Sequence, residues 1–243
     1  MIAAVLAGCA TIPPAPREPI TAEAREIIAR LDARAREFVS LRTLADVVVQ
    51  QRGDRTHLRG VLLAKSPTSV RFEALSPMGP PLLIAAVHDG RITAYDATRN
   101  EGYSGPATAE VTGRFLHLPF EPADLVSIVA GAPVPPADVR AASVLAPDDL
   151  GPSIELIGQD NRRRIWFDPD TATVRQFELT GGRAEARIRY VRNGRGELAG
   201  FDVSASLGGG ATVRYQNPGF AVPLAPDAFA FTIPKGAKIQ EIR

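Results

Sequence analysis

The chain has 243 residues, of which 45% are hydrophobic and 23% are charged, and this composition argues against wholesale disorder. Lysine and arginine total 28 against 27 acidic residues, so the net charge of +1 provides no basic surface for nucleic acid. The single cysteine excludes an intramolecular disulfide and a cysteine-rich metal site. The 21 glycines and 21 prolines interrupt the chain at short intervals, which is typical of folds with many short strands.

The first residues have the pattern of a targeting segment. Residues 2–8 are apolar or small, and Cys9 follows them. Leu6-Ala7-Gly8-Cys9 resembles the lipobox of bacterial lipoprotein signal peptides, whose cysteine is acylated and becomes the first residue of the mature chain. No basic residue precedes Arg17 and the apolar run is short, so we expect the true start codon to lie upstream. The alternative is a cytoplasmic protein with a stray cysteine near its terminus.

The lipobox divides the chain into three predicted parts. Residues 1–8 are the remnant of a signal peptide, and residues 9–20 are a proline-rich tether that is lipid-anchored at Cys9. Residues 21–243 form a single domain. No other run approaches the roughly 20 apolar residues of a transmembrane helix, so the lipid would be the only membrane attachment. By resemblance to the sorting rule of bacterial lipoproteins, Ala10 after the cysteine implies the periplasmic face of the outer membrane.

An amphipathic helix is predicted over Thr21–Ser40. Its apolar residues, Ile27, Leu31 and Phe38 among them, fall on one stripe, and Thr21 is suited to cap its start. Because the charges are of mixed sign and the apolar face is modest, we expect this helix to pack on a sheet. A helix lying on a membrane surface is the alternative.

About eleven short strands are predicted in two runs, each bounded by turn residues. They are Leu44–Gln51, Leu58–Lys65, Ser69–Leu75, Leu82–Val87, Arg91–Asp96, Ile154–Ile157, Arg162–Phe167, Thr173–Leu179, Glu185–Val191, Phe201–Ala205 and Ala211–Gln216. Two further strands, Phe229–Ile233 and Ile239–Ile242, close the chain. Between the runs we predict short helices over Pro106–Pro119 and Glu121–Ala130, which form a lid or plug, and a linker over Ala132–Pro152.

This order of elements predicts a mainly β protein of the α+β type. A sheet with so many strands curls into a barrel or half-barrel. The N-terminal helix packs on it, and the inserted helices form a short lid. The concave face is then filled by side chains, plugged by the helices, or left open for a ligand.

The residues of enzyme sites are missing from the sequence. His57, His88 and His117 are far apart, and no serine elbow or phosphate loop is present. The pairs Asp148-Asp149 and Asp168-Pro169-Asp170 lie among turn residues, where aspartate bonds to the backbone. We therefore predict a protein that is not an enzyme and that needs no metal or cofactor.

One basic cluster permits two interpretations. Arg162-Arg163-Arg164 lies in an alternating strand near Asp160 and Asp168. It is either an ordinary solvated face or a contact for anionic lipid headgroups.

Several short motifs resemble those of the LolA/LolB-like lipoprotein carriers and receptors. They are Leu75-Ser76-Pro77-Met78-Gly79, Gly113–Leu118, Leu125–Val129, Gly131-Ala132-Pro133 and Phe231-Thr232-Ile233-Pro234-Lys235-Gly236. The resemblance implies a half-open β-barrel whose helical lid covers an apolar cavity for acyl chains. In LolB-like receptors the Ser/Asn-Pro-x-Gly turn presents an exposed apolar residue, so Pro77, Met78 and Gly79 are expected to contact membrane or cargo. A Met78 tucked into the barrel rim is the alternative.

The resemblance implies a function in binding. The chain would hold acyl chains of lipoproteins or lipids in the concave cavity and aid their localisation to the outer membrane, as a monomer that receives cargo from a periplasmic LolA-type carrier. The alternative is a structural or regulatory periplasmic lipoprotein that binds a protein partner with the same fold. An open apolar cavity favours the first, and a cavity filled by large side chains favours the second. The candidate cavity residues are Leu62, Phe72, Leu83, Val111, Phe115 and Trp166.

Overall fold

The computed structural model describes residues 17–51, 53–76, 79–116, 120–136, 138–159, 161–181, 185–206 and 208–242, with the backbone alone at 79, 80 and 113–116. The described chain forms three helices, which are α1 (Ala22–Arg36), α2 (Ala109–Leu116) and α3 (Pro122–Ala130). Its strands are β1 (Ser40–Gln51), β2 (Asp54–Lys65), β3 (Ser69–Ser76), β4 (Gly79–His88), β5 (Arg91–Asp96), β6 (Glu101–Pro106), β7 (Ala141–Asp148), β8 (Gly151–Ile157), β9 (Arg162–Phe167), β10 (Val174–Thr180), β11 (Ala186–Arg192), β12 (Leu198–Ala205), β13 (Gly209–Phe220) and β14 (Lys238–Glu241).

All fourteen strands form one sheet, in the order β14-β6-β5-β4-β3-β2-β1-β13-β12-β11-β10-β9-β8-β7. Neighbouring strands are antiparallel, except that β14 runs parallel to β6. The edge strands β7 and β14 do not pair with each other, so the curved sheet stays open. The predicted half-open barrel of mainly antiparallel strands is therefore confirmed.

The ends of α1 and α3 follow from local chemistry. Thr21 caps α1, because its hydroxyl accepts a hydrogen bond from the backbone N–H of Ala24 at 3.2 Å. Gly131 ends α3 with a φ of 70°, a left-handed conformation that favours glycine. A Cβ atom at Gly131 would also lie 2.8 Å from the side chain of Leu198. A larger residue at this position would therefore disturb both the helix end and its packing on β12.

The main core lies between the helices and the concave face of the sheet, which is the face that the helices cover. Buried side chains of α1 and α3 pack there on β1, β2 and β8–β13. Ile154, Phe177 and Ile188 are among its largest fully buried side chains. Leu31 of α1 is 2% exposed, so this amphipathic helix packs on the sheet, as predicted.

The convex face of β3–β6 is covered by residues 221–237, which we call the C-terminal strap. The ring of His88 stacks on that of Phe229 with centroids 5.7 Å apart, and Phe229 is 3% exposed. Arg71 donates hydrogen bonds to the carbonyls of Ala228 and Ala230, both at 3.1 Å. The strap therefore shields this face from solvent through side-chain contacts.

The structure corrects the sequence prediction in three segments. Ala132–Pro152, predicted as a linker, contains β7 and the start of β8. β7 is an edge strand, so the missing N–H of Pro147 removes no hydrogen bond from the interior of the sheet. Phe229–Ile233, predicted as a strand, is irregular backbone in the strap. β6 was not predicted, because Glu101–Pro106 has no apolar alternation.

Candidate functional site

Three of the predicted cavity residues share the concave face of β2–β4. Leu62 lies opposite Phe72, and Phe72 lies opposite Ala85, which is two positions from Leu83. Since side chains alternate along a strand, Leu62, Phe72 and Leu83 point to the same side. Leu62 is buried at 6% exposure, and Phe72 and Leu83 are half-buried.

Gly60 lets Phe72 lie close to the backbone of β2. A Cβ atom at Gly60 would come within 2.8 Å of the Phe72 ring and would also collide with the carbonyl of Glu73. The ring is therefore held against the inner surface of the sheet. A side chain at position 60 would push it away from that surface.

α2 covers the neighbouring part of the same face, on β4 and β5. Val111 is 2% exposed and packs with Val87 and Ile92 in a second buried cluster, which is much smaller than the main core. The side chain of Phe115, also predicted to lie in the cavity, is outside the described residues. Thr112, the next residue of α2, is fully buried, and its hydroxyl donates a hydrogen bond to the carbonyl of Phe120.

Charged and hydroxyl side chains hold α3 on the sheet. The guanidinium of Arg163 on β9 donates hydrogen bonds to both carboxylate oxygens of Asp124, at 2.8 and 3.3 Å, and to the carbonyl of Val134 at 2.8 Å. The Tyr215 hydroxyl donates to the carbonyl of Val129 at 2.7 Å. The Arg163 and Asp124 side chains are only 9% and 8% exposed. α3 is thus joined to two strands by buried polar bonds.

The arginine cluster of β9 is therefore split between the two faces. Arg163 points inward to Asp124, so neither interpretation holds for this residue. Arg162 pairs with Glu155 at 3.4 Å and Arg164 with Asp148 at 2.7 Å. Neither of these outer arginines lacks a carboxylate, so the cluster is no ready contact for anionic lipid.

The structure removes Trp166 from the cavity residues. Its neighbours Ile165 and Phe167 point into the main core, so Trp166 lies on the convex face. Arg164 stacks over its ring at 4.0 Å, and its indole N–H donates to the carboxylate of Asp148 at 2.9 Å. This hydrogen bond, aided by one from the backbone N–H of Leu150, lowers the pKa of Asp148. Trp166 was misassigned because alternation defines a face without giving its direction.

The predicted contact turn lies at one end of the strands. Ser76 pairs with Gly79, and Pro77 and Met78 between them are outside the described residues. The two apolar side chains that flank the turn are exposed, Leu75 by 42% and Leu82 by 36%. The described neighbours of the turn therefore form an apolar rim.

The first described residues attach at this same end. The Arg17 guanidinium pairs with Asp138 at 2.6 Å, and the N–H of Glu18 donates to the carbonyl of Arg140 at 2.8 Å, just before β7. Across the sheet, the register places the start of β7 and the turn after Ser76 at corresponding ends of their strands. Cys9 and the rest of the predicted tether up to residue 16 lie outside the described residues.

His88 and Asp168, two of the polar residues that the sequence singles out, have structural partners. His88 shares a 2.9 Å hydrogen bond with Ser69, and His57 is exposed on β2, whereas His117 is not described. Asp168 accepts hydrogen bonds from the N–H groups of its own turn, above all that of Thr171, and these lower its pKa. In the described parts of the chain, no group of three histidine, cysteine, aspartate or glutamate residues could hold a metal ion. No described helix is both long and apolar enough to span a membrane.

Comparison of the whole fold with solved structures gives long alignments at low identity. A domain from Vibrio parahaemolyticus assigned to outer membrane lipoprotein sorting matches with a TM-score of 0.59 at 10% identity, over 85% of this chain and 96% of that chain. A LolA superfamily protein from Nitrosomonas europaea matches with a TM-score of 0.56 at 13% identity, over 86% and 97%. A DUF1329 family protein from Desulfovibrio piger matches with a TM-score of 0.62 at 10% identity, over 86% and 96%.

No family model matches the sequence, and no curated protein matches it. The similarity therefore lies in the architecture, which is the open sheet with its helices on the concave face. The chain has the fold of lipoprotein-sorting domains and LolA superfamily proteins, as the sequence resemblance implies.

Proposed function

We propose that this chain is a lipid-anchored periplasmic protein that binds acyl chains on its concave face and aids the localisation of lipoproteins or lipids to the outer membrane. The single observation that carries the proposal is the apolar concave face of β2–β5, which α2 covers over β4 and β5. It offers Leu62, Phe72 and Leu83 on one face, with Val111 of α2 above the adjoining part.

The covering helices differ in how readily they could move. α3 is fixed by Arg163 and Tyr215, whereas the described buried side chains of α2 are Val111, in an apolar cluster, and Thr112, which donates a hydrogen bond to the carbonyl of Phe120. Displacement of α2 would expose Val87 and Ile92 and would break the hydrogen bond between Thr112 and the carbonyl of Phe120. Each acyl methylene that moves from water onto this surface contributes about 0.8 kcal/mol to the free energy of binding. α2 is therefore the proposed lid.

The geometry of the strand ends supports a membrane-facing orientation. Residue 17 and the turn after Ser76 lie at the same end, and Leu75 and Leu82 give that end an apolar rim. A tether from Cys9 to residue 16, if extended, spans up to about 28 Å. The proposed anchor and the proposed contact of Pro77, Met78 and Gly79 could then reach one bilayer together.

The partners follow from this arrangement. Cargo acyl chains would enter beneath α2 from a soluble carrier of the LolA type, and the anchored chain would release them to the membrane beside its apolar rim. Two of the matched structures support the assignment, since they carry the descriptions of lipoprotein sorting and the LolA superfamily. The proposed mechanism is binding and transfer, with no catalytic step.

A second candidate is favoured by the other half of the barrel. Ile154, Phe177 and Ile188 are fully buried on the concave face of β8–β11, so side chains fill this half of the face. A structural or regulatory lipoprotein that binds a protein partner would need no open cavity. The two candidates differ in whether lipid accompanies the protein.

The test is purification of the anchored full chain from its membrane, followed by mass spectrometry of retained lipids and lipoproteins. The proposal expects acylated cargo in wild-type protein, and it expects Met78→Glu cells to retain lipoproteins in the inner membrane. Asp54→Glu, at an exposed strand start, is the matched control and should sort normally. A lipid-free protein with a bound protein partner, together with normal sorting in Met78→Glu cells, would favour the second candidate.

A further inference from the structure

A pocket of about 370 Å³ opens at the end of the half-barrel opposite the Ser76–Gly79 turn. Its walls are the C-terminal ends of α1 and α3, the turn between β11 and β12, and the junction where β1 begins beside the end of β13. Sites for small molecules have volumes of roughly 300–1,000 Å³, so the pocket is large enough for one such ligand.

The pocket wall carries three arginines, Arg34, Arg192 and Arg195, and two glutamates, Glu37 and Glu197, so arginines outnumber carboxylates there. Arg192 is half-buried, and its guanidinium donates to the carbonyls of Gly196 and Val174 at 3.2 and 3.3 Å. Within the residues that the structure describes, it forms no ion pair. Arg34, also in the wall, is already paired with Glu37.

The environment of Arg192 is unfavourable for a cation. Burial lowers the pKa of its guanidinium, and the nearby charge of Arg34 lowers it further. A guanidinium does not lose its proton in proteins, so Arg192 stays charged in this unfavourable environment. The carboxylate of Glu197 accepts a hydrogen bond from Asn193 at 2.8 Å and is thereby partly engaged. An oxyanion beside Arg192 would compensate its partly buried positive charge. It would also offset the repulsion between Arg192 and Arg34.

Another part of the pocket wall is apolar and open to solvent. Val39 is 56% exposed and Phe220 is 41% exposed, which makes them two of the large hydrophobic residues that the described fold leaves uncovered. Phe38 is half-buried beside them, and Leu198 forms part of the buried floor. A hydrocarbon chain on this wall would remove apolar surface from water.

We propose that this pocket binds a single-chain anionic amphiphile, whose oxyanion head contacts Arg192 and Arg34 and whose alkyl chain lies along Val39 and Phe220. Charge complementarity decides the head group, since guanidinium groups recognise carboxylates and phosphates alike. The site lies away from the concave face of β2–β5, and it stands independently of the proposed function.

The test is calorimetric titration of the full chain with dodecanoate and with dodecyl phosphate, each below its micelle concentration. Saturable binding of either is expected, and the tighter one identifies whether a fatty acid or a phosphate ester is the better head. Arg192→Gln and Arg34→Gln should each weaken binding at least tenfold. Arg189→Gln, exposed on the other face of the same strand, is the matched control and should leave binding unchanged.

The alkyl wall has its own matched pair of variants. Phe220→Ser should weaken dodecanoate binding at least tenfold, and Leu44→Ser, which is as exposed but lies outside the pocket, should not. Leu83→Glu, which targets the concave face, should also leave dodecanoate binding unchanged. A failure of the pocket proposal can therefore be told apart from a failure of the proposed function. Circular dichroism melting checks that each variant is folded. If Arg192→Gln does not fold, Arg34→Gln alone tests the contact with the head group.

Three results would overturn the proposal. The first is equal affinity for dodecanol, which would mean that the head group is not recognised. The second is equal affinity for inorganic phosphate, which would mean that the alkyl chain is not. The third is full affinity in the folded Arg34→Gln and Arg192→Gln variants.

Discussion

Arg163 of β9 and Asp124 of α3 form a buried ion pair with two hydrogen bonds, at 2.8 and 3.3 Å, across 39 residues of sequence. The Arg163 guanidinium also lies 6.0 Å from the centre of the Phe177 ring. A buried ion pair adds little net stability by itself, but loss of one partner leaves an uncompensated charge in the core. The pair therefore specifies where α3 lies on the sheet.

Removal of one partner should be severe. Asp124→Ala leaves Arg163 buried without its carboxylate, so we expect the free energy of unfolding to fall by about 3–5 kcal/mol in urea titrations. Arg162→Gln, which breaks the exposed pair with Glu155 on the same strand, is the control and should change it by about 1 kcal/mol or less. Equal effects of the two substitutions would show that the buried pair does not fix α3.

Two buried tyrosines of the core should respond differently to loss of their hydroxyl groups. Burial raises the pKa of both Tyr190 and Tyr215, so both phenols are neutral. Tyr215→Phe leaves the Val129 carbonyl without its donor and should lower the free energy of unfolding by about 1–3 kcal/mol. Tyr190→Phe should be neutral or stabilising in the same measurement, since its hydroxyl has no partner among the described residues. A larger loss for Tyr190→Phe would contradict this assignment.

Acid should weaken the fold through Asp148. The indole N–H of Trp166 and the N–H of Leu150 hold the pKa of Asp148 below its ordinary value, which is about 3.9 in an unfolded chain. The unfolded state therefore binds the proton more readily, and the stabilisation is present above about pH 4 and is lost as the pH falls through the folded-state pKa.

Variants at two adjacent positions test this pH dependence. Asp148→Asn should lower stability at pH 6 and should make its decline between pH 6 and pH 3 shallower in denaturant titrations. Asp149→Asn, one residue away and without these bonds, should keep the wild-type profile. An unchanged slope in Asp148→Asn would mean that other carboxyls govern the acid response.

The C-terminal strap should contribute to global stability. Phe229→Ala removes a ring that is 3% exposed and stacked on His88, so we expect a loss of about 3–5 kcal/mol and a matching fall in Tm. Phe220→Ala, at 41% exposure, should have a small effect. If the two variants melt together, the strap is not an integral part of the fold.

Regular patterns in the sequence predicted much of the sheet. Strand alternation and turn residues such as Asp89-Gly90 predicted β5 and β9 with their exact bounds, and Thr21 and Gly131 mark the ends of their helices. These signals are local, because they depend only on residues that are adjacent in the sequence. The strap lacked such a signal: Phe229 is apolar because it packs on a distant face, and a short apolar run alone cannot separate that from a strand.

The candidate site was less predictable than the sheet. Leu62, Phe72 and Leu83 lie on one face, as alternation required, but only the register of the sheet shows that Trp166 faces the other way. Arg163 looked like one of three equivalent arginines, because nothing near it in sequence indicates Asp124. Contacts between two distant segments cannot be predicted from the residue pattern of either segment alone.

The most direct test of the account is the affinity of the full chain for a triacylated cysteine peptide, measured beside the same peptide without acyl chains. The account predicts saturable binding of the acylated peptide alone, weakened at least tenfold by Leu83→Glu on the concave face. Leu44→Glu, exposed on the convex face of β1, should bind as the wild type does. Equal binding of both peptides, or full affinity in Leu83→Glu, would contradict acyl-chain binding on the concave face.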